Sequence, residues 1–112
     1  MKPDNLPFAA HEFHSALMDN VLEHIAEPEI LLNEVHRVVS PGGRLLIGVP
    51  GIFGWKSDFD HKIYYDESKL RICVETHGFT HLETFHSPVW RSEWLAKNLR
   101  QYCIYSAFSR RN

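Results

Sequence analysis

Short apolar runs along the chain alternate with longer stretches in which apolar residues return every three or four positions, and that alternation predicts strands interleaved with helices. Ala16-Leu17-Met18, inside residues 13–19, is too short a run for a buried helix and predicts a strand buried on both faces. Asn20 and Glu23 then stand in an N-x-x-E capping arrangement that opens a short turn through Ile25. Pro28 suits the first position of a longer helix over 28–39, where Leu31, Val35 and Val38 form one apolar stripe. Glu29 and Arg37 sit near the ends at which the helix dipole favours their charges. Pro41-Gly42-Gly43 ends that helix, and Leu45-Leu46-Ile47 marks a second strand over 44–49, stopped by Pro50-Gly51.

Residues 50–65 form a long connection, of a length that often carries function. Asp66 predicts the cap of a helix over 66–77, with Leu70, Val74 and His77 along one stripe and Gly78 just past its end. A third strand is predicted over 79–85, an aromatic amphipathic segment over 88–100 with Trp90, Trp94 and Leu95, and a fourth, antiparallel strand over 102–108. Strands alternating with helices imply an α/β fold with a largely parallel sheet. Right-handed crossovers then place both helices on one face.

Composition narrows this picture in three places. With 112 residues the chain makes one small domain, 1–112, and its 44% hydrophobic content is that of a globular protein. Twelve basic against fourteen acidic residues leave a net charge of −2, which argues against nucleic acid as a partner. No apolar run approaches the ~20 residues of a membrane span, and no secretory segment opens the chain, so no membrane and a cytoplasmic location are expected. Cys73 and Cys103 read as reduced, partly buried thiols rather than zinc ligands. The eight histidines are scattered and are expected at the surface or at interfaces.

The succession Leu6-Pro7-Phe8, Leu17-Met18-Asp19-Asn20-Val21-Leu22-Glu23-His24-Ile25, then Glu34, Arg37-Val38 and Pro41-Gly42-Gly43-Arg44-Leu45 resembles one family. It is similar to class I S-adenosylmethionine (SAM)-dependent methyltransferases of the small-molecule type, over about residues 4–86. The resemblance implies a seven-stranded sheet in the order 3-2-1-4-5-7-6, of which this chain supplies the equivalents of 4, 5, 7 and 6. The expected fold is therefore a partial Rossmann-like sheet of about four strands, the last antiparallel, with helices mainly on one face. The family's Gly-rich SAM loop and its ribose-binding acid both lie before the start of such a half, and neither occurs here. A single truncated domain is thus expected, its half-built crevice leaving SAM binding by this chain alone incomplete. His14 stands where the family commonly has Asp, and Asp4 precedes Leu6 by two positions where the adenine-contacting acid precedes it by about four.

What the resemblance implies for sites is a remnant cofactor surface at Asp4, Leu6, Pro7, Asp19 and Asn20, against plain packing and helix capping as the bland reading. Relatives place substrate contacts on the loop holding Asp58, Asp60, His61, Tyr64 and Tyr65. There the His61 imidazole beside the Asp60 carboxylate has the chemistry of a general base, the bland reading being an ordinary surface loop. A metal site at Glu23-His24, completed by His61, is the weaker choice because Asn20 replaces an acid that metal-binding relatives carry, and two ligands do not define a site. The expected activity is methyl transfer to a small-molecule acceptor, lost here or dependent on completion by a partner chain. The competing expectation is a non-catalytic dimerisation module. Either way a homodimer is expected, through the exposed edge strand 13–19, the bare sheet face, or the 88–102 aromatic segment.

Overall fold

The computed structural model describes residues 5–51, 62–87 and 103–112. Its elements run β1 (Phe13–Asp19), a 3-10 turn (Leu22–His24), α1 (Pro28–Val38), β2 (Val39–Pro50), α2 (Glu67–Glu75), β3 (Phe79–Ser87) and β4 (Cys103–Arg110). They form a four-stranded sheet in the order β1-β2-β4-β3. β1 pairs parallel with β2, while β4 is inserted antiparallel between β2 and β3. This is the arrangement that the family resemblance implies, with the last strand antiparallel. The segment 88–102, expected to be aromatic and amphipathic, and the loop residues 52–61 lie outside the described residues.

Both helices pack on one face of the sheet. The predicted stripe of α1 is buried at Leu31, Val35 and Val38 and widened by Leu32, and α2 contributes Leu70 and Val74. They close over Leu45, Ile47 and Val49 of β2, Phe79 of β3, and Ile104 and Phe108 of β4, in one continuous core. Asp66 caps α2 as expected, its Oδ1 accepting from the Lys69 amide at 2.7 Å. Gly78 lies three residues past the helix end at φ 90°, with its Cα against the His36 ring; a Cβ there would come within 2.5 Å of His36 Nε2.

Four expectations are corrected. β1 is buried on one face only: Met18 is buried, but Leu17 on the opposite side is 63% exposed. An edge strand with helices on one side leaves every second residue open. Second, Pro41-Gly42-Gly43 does not separate helix from strand. β2 begins at Val39, which pairs with Phe13, and the next pair, Ser15 with Arg44, skips the residues between. Those residues make a bulge, and at Gly43 a Cβ would strike Val39 Cγ1 at 2.6 Å and the His14 carbonyl oxygen at 2.9 Å. Third, Tyr65 is a core residue, 2% exposed, rather than part of a substrate loop's surface. Fourth, the Asn20–Glu23 capping box does not form. Val21 precedes the 3-10 turn with no side-chain cap, and Glu23 is fully buried.

The histidines do more than decorate the surface. Half-buried His77 donates from Nδ1 to the Cys73 carbonyl at 2.7 Å, and His86 bridges to Glu67, tying β3 to α2. His81 is hydrogen-bonded to Thr84 at 2.7 Å and Thr84 to buried Ser106 at 2.8 Å, which satisfies the Ser106 hydroxyl inside the core.

Candidate functional site: the carboxyl ends of the parallel strands

The strand registers align Asp19 of β1, Gly48 of β2, Tyr105 of β4 and Phe85 of β3 in one row across the sheet. Side chains in such a row share a face, here the face without helices. The row lies at the carboxyl ends of β1 and β2, where open α/β sheets bind their ligands. The Tyr105 hydroxyl donates to Asp19 Oδ1 at 3.1 Å, reaching across β2 to do so. Gly48 permits that crossing, because a Cβ there would sit 2.5 Å from the Tyr105 ring and 2.7 Å from Asp19 Oδ1. Phe85 stacks on Tyr105 at 5.5 Å with 13° between planes, fixing the ring from its other side.

Asn20 turns the chain off the end of β1 with φ 56°, a left-handed conformation that asparagine tolerates better than most residues. Its amide donates to the Gly48 carbonyl at 2.9 Å, and its Nδ2 donates to Asp19 Oδ1 at 3.3 Å. One carboxylate oxygen thus receives two donors, which orients Asp19 at the mouth of the crevice while leaving the residue exposed. Burial first, then the Asp19 carboxylate it binds, pushes the Tyr105 phenol above its ordinary range, so it stays a donor at neutral pH. Burial, reinforced by Asp19 and Glu23, also pushes the Cys103 thiol up, which leaves it protonated and a poor nucleophile.

Below the mouth, the Glu23 carbonyl accepts from the amides of Lys62 at 2.7 Å and Ile63 at 3.1 Å. These bonds draw the connection into α2 back to the strand ends. Tyr65 follows, its phenol raised mainly by burial and then by the neighbouring Cys73 thiol, so it packs rather than titrates.

Leu6, Pro7 and Phe8 are held elsewhere. The Leu6 amide donates to Glu34 Oε1 at 3.0 Å, while Arg37 donates to the carbonyls of Phe8 at 2.8 Å and Leu6 at 3.1 Å. Arg37 also binds Glu34 with two further hydrogen bonds of 2.8 and 3.0 Å. Those bonds, and then the Leu6 amide, hold the Glu34 carboxyl below the usual carboxylate range. The segment is a strap clamped to α1, with Phe8 edge-on to Phe13 at 4.9 Å. No hydrogen bond among the described residues joins it to Asp19 or Asn20.

Of the sequence-derived candidates, the structure brings Asp19 and Asn20 together at the crevice. Asp4, Asp60 and His61 lie outside the described residues. Among the described residues, no group of three His, Cys, Asp or Glu side chains gathers to hold a metal ion. His77 and His81 do stand four apart, but Gly78 separates helix from strand between them, so they share no helical face. Nor is any helix of the described residues long and apolar enough to cross a membrane. Sequence reasoning missed Gly48 and Tyr105. The available signal was a glycine inside an otherwise apolar strand, which marks a close approach of something to the backbone.

Comparison with known proteins bears on the fold. Residues 1–47 match the family model described as Methyltransferase domain. Over 45 residues the chain is 44% identical to an uncharacterized 37.1 kDa protein in transposon TN4556 of Streptomyces fradiae, covering 40% of this chain and 13% of that one. The fold is similar to that of 1,6-didemethyltoxoflavin-N1-methyltransferase from Burkholderia thailandensis, solved with 1,6-didemethyltoxoflavin and S-adenosylhomocysteine bound. The TM-score is 0.73 at 18% identity, over 100% of this chain and 49% of that one. It is equally similar to the [4+2]-cyclase SpnF, with a TM-score of 0.74 at 18% identity over 99% of this chain and 54% of that one. The chain therefore spans about half the length of these two solved proteins. Together these likenesses show the fold, a partial Rossmann-like α/β sheet of the kind found in methyltransferases, with the family likeness confined to residues 1–47.

Proposed function

We propose that this chain supplies one wall of a site for SAM-dependent methyl transfer to a small-molecule acceptor, and that a partner chain completes the site. The observation that carries this reading is the Asp19 carboxylate held by Tyr105 across Gly48, at the strand ends where such sheets receive ligands. The donor bears cationic ammonium and sulfonium groups, and an exposed, oriented carboxylate fits a cation. The fit concerns only that charged end of the donor. When bound, the cofactor supplies a methyl group already activated for displacement.

The chain's own part is orientation. Asp19 attracts and aligns positive charge, the Tyr105 hydroxyl and Asn20 amide keep its carboxylate from swinging, and the Phe85–Tyr105 pair gives the crevice an apolar wall. In-line displacement depends chiefly on such alignment. Asp60 and His61 remain the candidates for a general base where the acceptor is a weak nucleophile. Support for SAM comes from the family match over residues 1–47 and from the toxoflavin methyltransferase, solved with S-adenosylhomocysteine. The cyclase with the same fold warns that architecture alone does not fix the reaction.

Titration calorimetry with SAM and S-adenosylhomocysteine tests the proposal. Saturable binding that weakens about tenfold in Asp19→Asn, equivalent to about 1.4 kcal/mol, is the expected result. Binding of equal strength in the variant would remove Asp19 from the site. A second reading, a non-catalytic interaction module, is favoured by a separate observation: the helix-free face exposes Leu17, Leu82 and Phe85 together.

A further inference from the structure

The helix-free face has a charge pattern that its apolar residues alone do not explain. Its central row aligns Leu17, Leu46, Ala107 and Glu83 across β1, β2, β4 and β3. One row towards the amino end of β2, Ser15 aligns with Arg44 and Ser109. A shallow groove runs over these rows, floored by Leu46 and Ala107, with Leu17 and Arg44 on one side and Leu82 and Glu83 on the other. Leu82 stands at the register shift of β3 and is 45% exposed. Arg44 and Glu83 are both exposed, and neither side chain makes a hydrogen bond or ion pair among the described residues. Strand spacing and residue rise put their backbones about 12 Å apart.

We propose that this face binds a second copy of the chain, sheet on sheet about a two-fold axis, with Arg44 of each protomer paired to Glu83 of the other. A two-fold interface requires a patch that complements itself. An axis across the Leu46–Ala107 floor, midway between Arg44 and Glu83, meets that requirement. It lays the apolar floor against its own copy and sets the positive rim of each protomer against the negative rim of its partner. Sheets pack about 10 Å apart, a gap that leucine side chains from both faces fill and that an arginine and a glutamate span from opposite sides. Four strands of about seven residues present a face of about 450 Å² per copy. That is small beside the ~800 Å² per partner of a standard stable interface, so the dimer dissociates in the micromolar range.

Sedimentation equilibrium of the whole chain and two charge-reversal variants, from about 1 to 300 μM, provides the test. The unmodified chain should shift from monomer to dimer across that range. R44E and E83R should each remain monomeric throughout, since each places like charges opposite one another twice. Mixed in equal amounts, they should form a heterodimer at least as tight as the unmodified dimer, and the double variant R44E/E83R should again pair with itself. An unmodified chain that stays monomeric overturns the proposal. So do single variants that still dimerise, as pairing through the β1 edge would produce, and so does a mixture that fails to associate. Far-ultraviolet circular dichroism of each variant, unchanged because both residues are exposed, shows that charge rather than folding is being read.

Discussion

On the helix side of the sheet, Leu45, Ile47, Val49, Ile104 and Phe108 are buried to 4% exposure or less, whereas on the other side Leu17, Leu82 and Phe85 keep 63%, 45% and 42%. The buried set lies on the central strands β2 and β4 and the exposed set on the outer strands β1 and β3, yet within β1 itself buried Met18 follows directly on exposed Leu17. Apolar composition is therefore no guide to which residues hold this domain together. Position on a face decides it, and substitutions that trade one face for the other should separate folding from association.

The largest effect is expected at Phe108, which lies at the centre of the covered face, fully buried and edge-on to His81 at 5.5 Å. Phe108→Ala removes a large side chain that the two helices and three strands cannot collapse to replace. A loss of about 3–5 kcal/mol is expected. Urea unfolding should show it as a lower midpoint with an unchanged slope, since the exposed surface on unfolding hardly changes. For a domain of this size that is a large share of total stability, so the variant's melting temperature is expected to fall by well over ~10 °C.

A smaller effect, tunable by pH, belongs to the seam where the covered face closes. His36 packs edge-on against Phe79 at 5.5 Å, and its Nε2 accepts from Arg110 Nε at 3.2 Å. Protonation would turn that nitrogen into a donor towards the Arg111 carbonyl, 3.2 Å away, and leave an imidazolium against the Arg110 guanidinium. Burial first, and then Arg110, accordingly lowers the His36 pKa, with Arg111 and His11 adding to the repulsion and the Arg111 carbonyl opposing it. A histidine whose folded pKa is lowered takes up its proton more readily when unfolded. Stability is then full above the unfolded value, about 6.5, and falls as pH drops below it towards the folded pKa. The slope of stability against pH between about 6.5 and 5 should be shallower in His36→Gln, measured by urea midpoints at each pH.

How much of this was legible in the sequence depended on how local the interaction is. The α1 stripe and the Asp66 cap rest on periodicities and spacings of a few residues, and both are found in the structure; the strand order, also found, was implied only by the family resemblance. The bulge at Pro41-Gly42-Gly43 read as a stop because turn residues look alike whether a strand ends or only detours. Glu23 had the spacing of a capping residue, but the turn at Leu22–His24 carries it into the interior instead. The crevice row was legible only at its first member. Asp19 and Tyr105 lie 86 positions apart and meet because β4 is inserted next to β2, a topology that no local pattern encodes. The Glu34–Arg37 clamp on Leu6 and Phe8 was hidden for the same reason, since Arg37 read as an ordinary helix-end residue.

The smallest effect sharpens the comparison most. Leu17 is an apolar residue in the middle of a strand, and a reading by composition would give Leu17→Ser the cost of a core substitution, about 2–5 kcal/mol. Its side chain instead faces open space on the helix-free face, where the strand's own pairing with β2 through Leu46 is untouched by the change. The expected change in unfolding free energy at low protein concentration is therefore within about 0.5 kcal/mol. At high concentration the two chains should diverge. If the face binds a second copy, the leucine chain gains stability by mass action as the dimer fills, and the serine variant gains less. Thermal unfolding across a hundredfold range of concentration reads both quantities at once. Equal melting temperatures when dilute and a widening gap when concentrated would assign Leu17 to association; a gap already present when dilute would return it to the core.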